Sequence, residues 1–95
     1  MVTTLSREMG LTHAEFFRTL PSAMGDLGYR IEEEKVVAEN KPYRLTIRLD
    51  SQQERRIALL RIPYTRVHFD FEGYQQEEID AFMAYFESRF QRGGG

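Results

Sequence analysis

The sequence predicts a small α+β domain: a four-stranded antiparallel meander with an N-terminal helix and a long C-terminal helix on one face, in the order α-β-β-β-β-α. Three observations predict it. Tyr43, Leu45, Ile47 and Leu49 alternate with Arg44, Thr46, Arg48 and Asp50, and Val67, Phe69 and Phe71 alternate with Arg66, His68 and Asp70. Period two marks strands with one buried and one wet face. Ile79, Phe82, Met83, Phe86 and Phe90 instead recur at steps of three and four, the spacing of one helix face. The segments between the candidate strands are short, which makes neighbours antiparallel.

Met1 to Gly10 shows no clear period and reads as a loose lead-in. At Thr12 a helix starts: Thr12 can cap it, Glu15 completes a capping box, and Leu11 can staple onto Phe16. Phe16, Phe17, Leu20, Met24 and Leu27 continue the stripe. Pro21 predicts a kink or a break, because it cannot donate to Phe17 and its ring crowds that carbonyl. Gly25 and Gly28 are candidate stops. Tyr29 to Ala38 is expected as an edge strand, its Glu32-Glu33-Glu34 run discouraging edge pairing. Asn40-Lys41-Pro42 is the following turn. Tyr43 to Asp50 is the clearest strand. A polar connection over residues 51–54 leads to a third strand, Arg55 to Ile62. Its Ile57, Ala58, Leu59 and Leu60 are apolar on both parities, which suggests a central position. Pro63-Tyr64 should turn or bend the chain, and Thr65 to Glu72 is the fourth strand. Gly73 ends it. The last helix should run to about Arg92, with acids near its start, arginines near its end and Gly93 as a left-handed stop.

Ninety-five residues build one core and so one domain. There is no Cys, which excludes disulfides, thiolate metal sites and cysteine nucleophiles, and fits a cytoplasmic protein. The first ten residues carry Arg7 and Glu8 and no apolar block, so a signal peptide is not expected. No apolar run is long enough for a membrane span, so no membrane partner is expected.

The net charge of -2 is unevenly spread. Residues 1–40 sum to -3, residues 41–68 to +5, and residues 69–95 to -4. The basic centre holds Arg44, Arg48, Arg55, Arg56, Arg61 and Arg66, a residue type suited to bidentate pairing with carboxylate or phosphate. With His68 these are the candidate binding residues; Arg44, Arg48, Arg66 and His68 are expected on the open sheet face, and the register of the third strand, with Arg55, Arg56 and Arg61, stays open. A near-neutral total favours pairing inside the fold or with a protein partner, including a second copy of the chain. The alternative is nucleic acid or another polyanion held by the same arginines. If one parity of the third strand also faces outward, the open face gains an apolar strip suited to a partner.

Catalytic signals are weak. His13 and His68 have no further ligand at metal-site spacing, no glycine-rich phosphate loop occurs, and no Ser or Thr sits in a nucleophile-elbow context. His68 and Asp70 could pair along one strand. An enzyme is therefore not expected, nor a cofactor or metal. The terminal Gly93-Gly94-Gly95 resembles the tails of ubiquitin-like sulfur carriers, whose free carboxylate is adenylated. Those tails leave a strand, whereas this one leaves a helix, so a flexible end is the plainer expectation.

Overall fold

The computed structural model describes residues 2–94, with the side chains of residues 2–91. Its elements are β1 (Val2–Met9), α1 (His13–Met24), β2 (Arg30–Glu32), β3 (Lys35–Asn40), β4 (Tyr43–Leu49), β5 (Gln53–Ile57), β6 (Leu60–Glu72) and α2 (Gln76–Gly94). The fold is α+β, with two helices and an open antiparallel sheet of six strands. The four-stranded meander is thus too narrow a description.

Three expectations about the sheet are corrected. The lead-in is a strand: β1 pairs with β6 over its whole length, from Val2↔Glu72 to Met9↔Thr65. The segment Tyr29 to Ala38 is two strands, β2 and β3, joined by a tight turn in which Glu33 takes φ 58°. Most significantly, Arg55 to Ile62 is not a central strand. It straddles the Ala58-Leu59 turn of a hairpin, and β5 pairs with β6 alone. The sheet order is β1-β6-β4-β3-β2, so β6 is an interior strand between β1 and β4, and it also carries β5.

Pro63 does not break β6. Beyond Met9↔Thr65 the β1 side of that strand is unpaired, and a residue lacking an N–H is tolerated at such an edge. Pro21 does not break α1 either; the helix continues to Met24, where Ala23 and Met24 are buried. Thr12 caps it as expected, accepting from the Glu15 N–H at 3.1 Å while the Glu15 carboxylate accepts from the Thr12 N–H at 2.8 Å. Gly25, at φ 62°, ends it.

Both helices cover the same side of the sheet. Phe16, Leu20, Leu45, Ile47, Val67, Phe69, Phe71, Ile79 and Phe86 are all but fully buried there. Phe86 sits among Phe16, Phe69, Phe82 and Phe90, with ring centroids 4.8–6.2 Å away. α2 runs on to Gly94, so the stop at Gly93 is not observed. The carrier reading depends on Gly95, which lies outside the described residues. Among the described residues no helix is long and apolar enough to cross a membrane.

Candidate functional site

Strand parity decides what faces solvent. On β6, Thr65, Val67, Phe69 and Phe71 turn toward the helices, and Arg66, His68, Asp70 and Glu72 turn away. The neighbours follow in register. Asp70 lies between Thr4 and Thr46, His68 between Ser6 and Arg48, and Glu72 between Val2 and Arg44. Arg44, Arg48, Arg66 and His68 therefore share the open face as expected. Their charge does not accumulate there. Arg30, Lys35, Arg44, Arg48 and Arg66 stand among Glu8, Glu32, Glu39, Asp50, Asp70 and Glu72, a near-balanced lattice.

Most of these cations are paired. Arg48 donates to Asp70 from Nε at 2.7 Å and from Nη2 at 3.3 Å, and the Thr4 hydroxyl donates to the same carboxylate at 2.8 Å. The Arg48 guanidinium, helped by Thr4, holds the Asp70 carboxyl below its usual range. Arg55 and Arg66 share Glu8, at 3.0 and 3.4 Å. Arg30 pairs with Glu32, whose carboxyl it also lowers. Arg44 has no carboxylate within 4 Å among the described residues, although Glu39 and Glu72 flank it in register. Glu8 was not foreseeable as a partner once the lead-in was read as unstructured.

His68 pairs with Asp50 rather than with Asp70. Its Nε2 lies 3.1 Å from the Asp50 carboxylate and its Nδ1 2.8 Å from the Ser6 hydroxyl. The tautomer that donates from Nε2 to Asp50 leaves Nδ1 to accept from Ser6. This is the relay geometry of an activated serine. Acyl transfer also needs a concave seat and donors aimed at the developing oxyanion. The trio sits on the open face, and the pocket described below opens on the helix side. The arrangement accounts well for fixing the linker after β4, because the Asp50 carbonyl also takes a hydrogen bond from His13 Nε2 at 2.8 Å.

The remaining candidates lie on a projecting arm, the β5–β6 hairpin. Its pairs run Gln53↔Tyr64, Glu54↔Pro63, Arg55↔Ile62, Arg56↔Arg61 and Ile57↔Leu60. Parity splits it into two faces. One carries Ile57, Leu60 and Ile62, with Arg55 over the Tyr64 ring at 4.6 Å. The other carries Arg56 and Arg61 directly opposite each other, with Glu54 at 3.9 and 4.0 Å as their one carboxylate partner among the described residues. The six arginines thus do not converge on one patch. The arm exposes its apolar residues: Ile57 52%, Leu59 99%, Leu60 64% and Ile62 38%. The apolar strip expected on the open face exists, but on this arm and not down the middle of the sheet.

A pocket of about 410 Å³ lies between the end of β1, α1 and the last turns of α2. Met9, Leu11, Phe69, Phe86 and Phe90 form its apolar walls, and Arg7, Arg18, Glu8, Glu15 and Glu87 stand among its polar lining. Nothing in the sequence marked it, since it depends on β1 reaching the helices. Among the described residues no group of three or more His, Asp or Glu side chains could hold a metal ion.

Comparison with protein-family models, with curated proteins and with solved structures finds no match for this chain.

Proposed function

We propose that this chain is a protein-binding module that associates with a second copy of itself through the β5–β6 arm. The observation that carries this reading is the wholly exposed Leu59, at the tip of an amphipathic ribbon whose outer β5 edge is unpaired. A two-stranded ribbon has no core of its own, so much of this apolar surface stays uncovered within the monomer. Contiguous exposed apolar surface of this kind marks contact sites. The near-neutral open face argues against that face as the main contact. It shifts the contact from the arginines to the arm, of which Arg55, Arg56 and Arg61 form the charged flank.

The exposed fractions amount to two and a half whole side chains. Covering them contributes about 4–7 kcal/mol per arm. Two arms covering each other contribute about 8–14 kcal/mol; against an association cost near the lower end of about 4–15 kcal/mol, this gives a dimer of roughly micromolar to millimolar affinity. A two-fold arrangement closes, because the same face is buried on both copies. Sedimentation equilibrium over this range should show a dimer, and Leu59→Asp with Leu60→Asp should return it to monomer without loss of helical signal. A monomer throughout overturns the reading.

One observation favours a second reading. Arg56 and Arg61 oppose each other across the ladder and share one carboxylate, Glu54, at 3.9 and 4.0 Å, which leaves a net positive charge on that face of the arm. A polyanion binder predicts heparin retention that falls steeply with salt and is lost in Arg56→Gln with Arg61→Gln. Flow-through at low salt removes that alternative.

A further inference from the structure

We propose that the pocket between β1, α1 and α2 binds a small monocarboxylate with an apolar tail. Its volume of about 410 Å³ falls in the range of sites that enclose small ligands, roughly 300–1,000 Å³. One side is aromatic: Phe69, Phe86 and Phe90 line it, with Phe86 5.2 Å from Phe69 and 4.8 Å from Phe90 between ring centroids, and Phe16 stacks behind Phe90 at 5.3 Å. Such walls take an alkyl chain or a ring.

The charge of the ligand follows from which lining groups are already committed. Glu8 is held by Arg55 and Arg66 at 3.0 and 3.4 Å. Glu15 is tied into the α1 cap, its carboxylate 2.8 Å from the Thr12 N–H. Glu87 pairs with Arg7 at 2.7 Å. Of the charged lining side chains, Arg18 alone makes no hydrogen bond or ion pair within 4 Å among the described residues, with Glu15 one turn away as the nearest opposite charge on its own helix. A guanidinium at the rim of an apolar cavity matches a planar carboxylate by bidentate hydrogen bonding. An amine would instead meet carboxylates that have partners already and would have to displace them. The ligand's tail lies on the phenylalanines and its head group reaches Arg18.

The test compares decanoate, decanol and decylamine on the full chain by titration calorimetry at moderate salt, below the micelle concentration of each. Decanoate should bind at one site, about tenfold tighter than decanol, and decylamine weakest of the three. Arg18→Gln, an exposed position, should remove the advantage of decanoate over decanol and leave decanol unchanged. Arg30→Gln, on the far edge strand, should change nothing. Equal affinity for decanoate and decanol, an unaltered preference in Arg18→Gln, or no saturable binding overturns the proposal. The arm variant Leu59→Asp should bind decanoate as the unaltered chain does, so failure of the dimer and failure of this site are read separately.

Discussion

Truncating Phe86 tests the account of the core most directly. The side chain is fully buried and touches four other aromatic rings, two on its own helix, one on α1 and one on β6. Phe86→Ala removes its transfer free energy and leaves a cavity that rings on three elements cannot all collapse into. Together these cost about 3–5 kcal/mol. A domain of this length has about 5–14 kcal/mol in total, so a large share of the stability goes at one position. Phe86→Leu keeps most of the volume but loses the edge contacts, and should cost about 1–2 kcal/mol. Urea denaturation followed by far-ultraviolet circular dichroism measures both. If Phe86→Ala lies within about 1 kcal/mol of the unaltered protein, α2 does not seal the sheet as described, and the helix-side pocket loses its wall.

Two further substitutions probe other parts of the structure. Gly73 sits at φ 84°, where a Cβ would lie 2.3 Å from the Pro42 carbonyl oxygen. Gly73→Ala should therefore cost at least about 2 kcal/mol, since it strains the backbone and pushes the β3–β4 turn away. Asp70 is held below the ordinary carboxylate range by Arg48. Its contribution is complete above the unfolded-state value, about 3.9, and is lost as pH falls through the lower native value. Stability should thus fall on acidification below about pH 4, and Asp70→Asn should flatten that limb while costing about 1 kcal/mol at neutral pH. A limb equally steep in Asp70→Asn would show that other carboxylates carry it.

The elements with a strong period were legible, and those whose period is diluted were not. β4, the body of β6 and α2 each bury one clean face, so alternation or helical spacing announced them. β1 turns Thr3, Leu5, Arg7 and Met9 toward the helices, and the inward Arg7 is neutralised by Glu87. That single charged position hid the period. The arm failed for the opposite reason. Ile57 to Leu60 is apolar without burial, so density of apolar residues was read as centrality when the residues occupy a turn. Of the candidate residues, the open-face set was placed correctly by parity. Their neutralisation was not, because Glu8 and Ser6 belong to the unrecognised strand, and the pocket required the same strand.

Pairing the first strand with the last has a consequence for synthesis. The β1 ladder joins positions more than fifty residues apart, and α2 follows only after β6. A growing chain therefore emerges with a first strand whose partner follows more than fifty residues later. Long-range antiparallel closure of this sort is slow, and a ribbon exposed meanwhile invites the wrong neighbour. Removing residues 2–9 should consequently harm yield in cells more than it harms the helices.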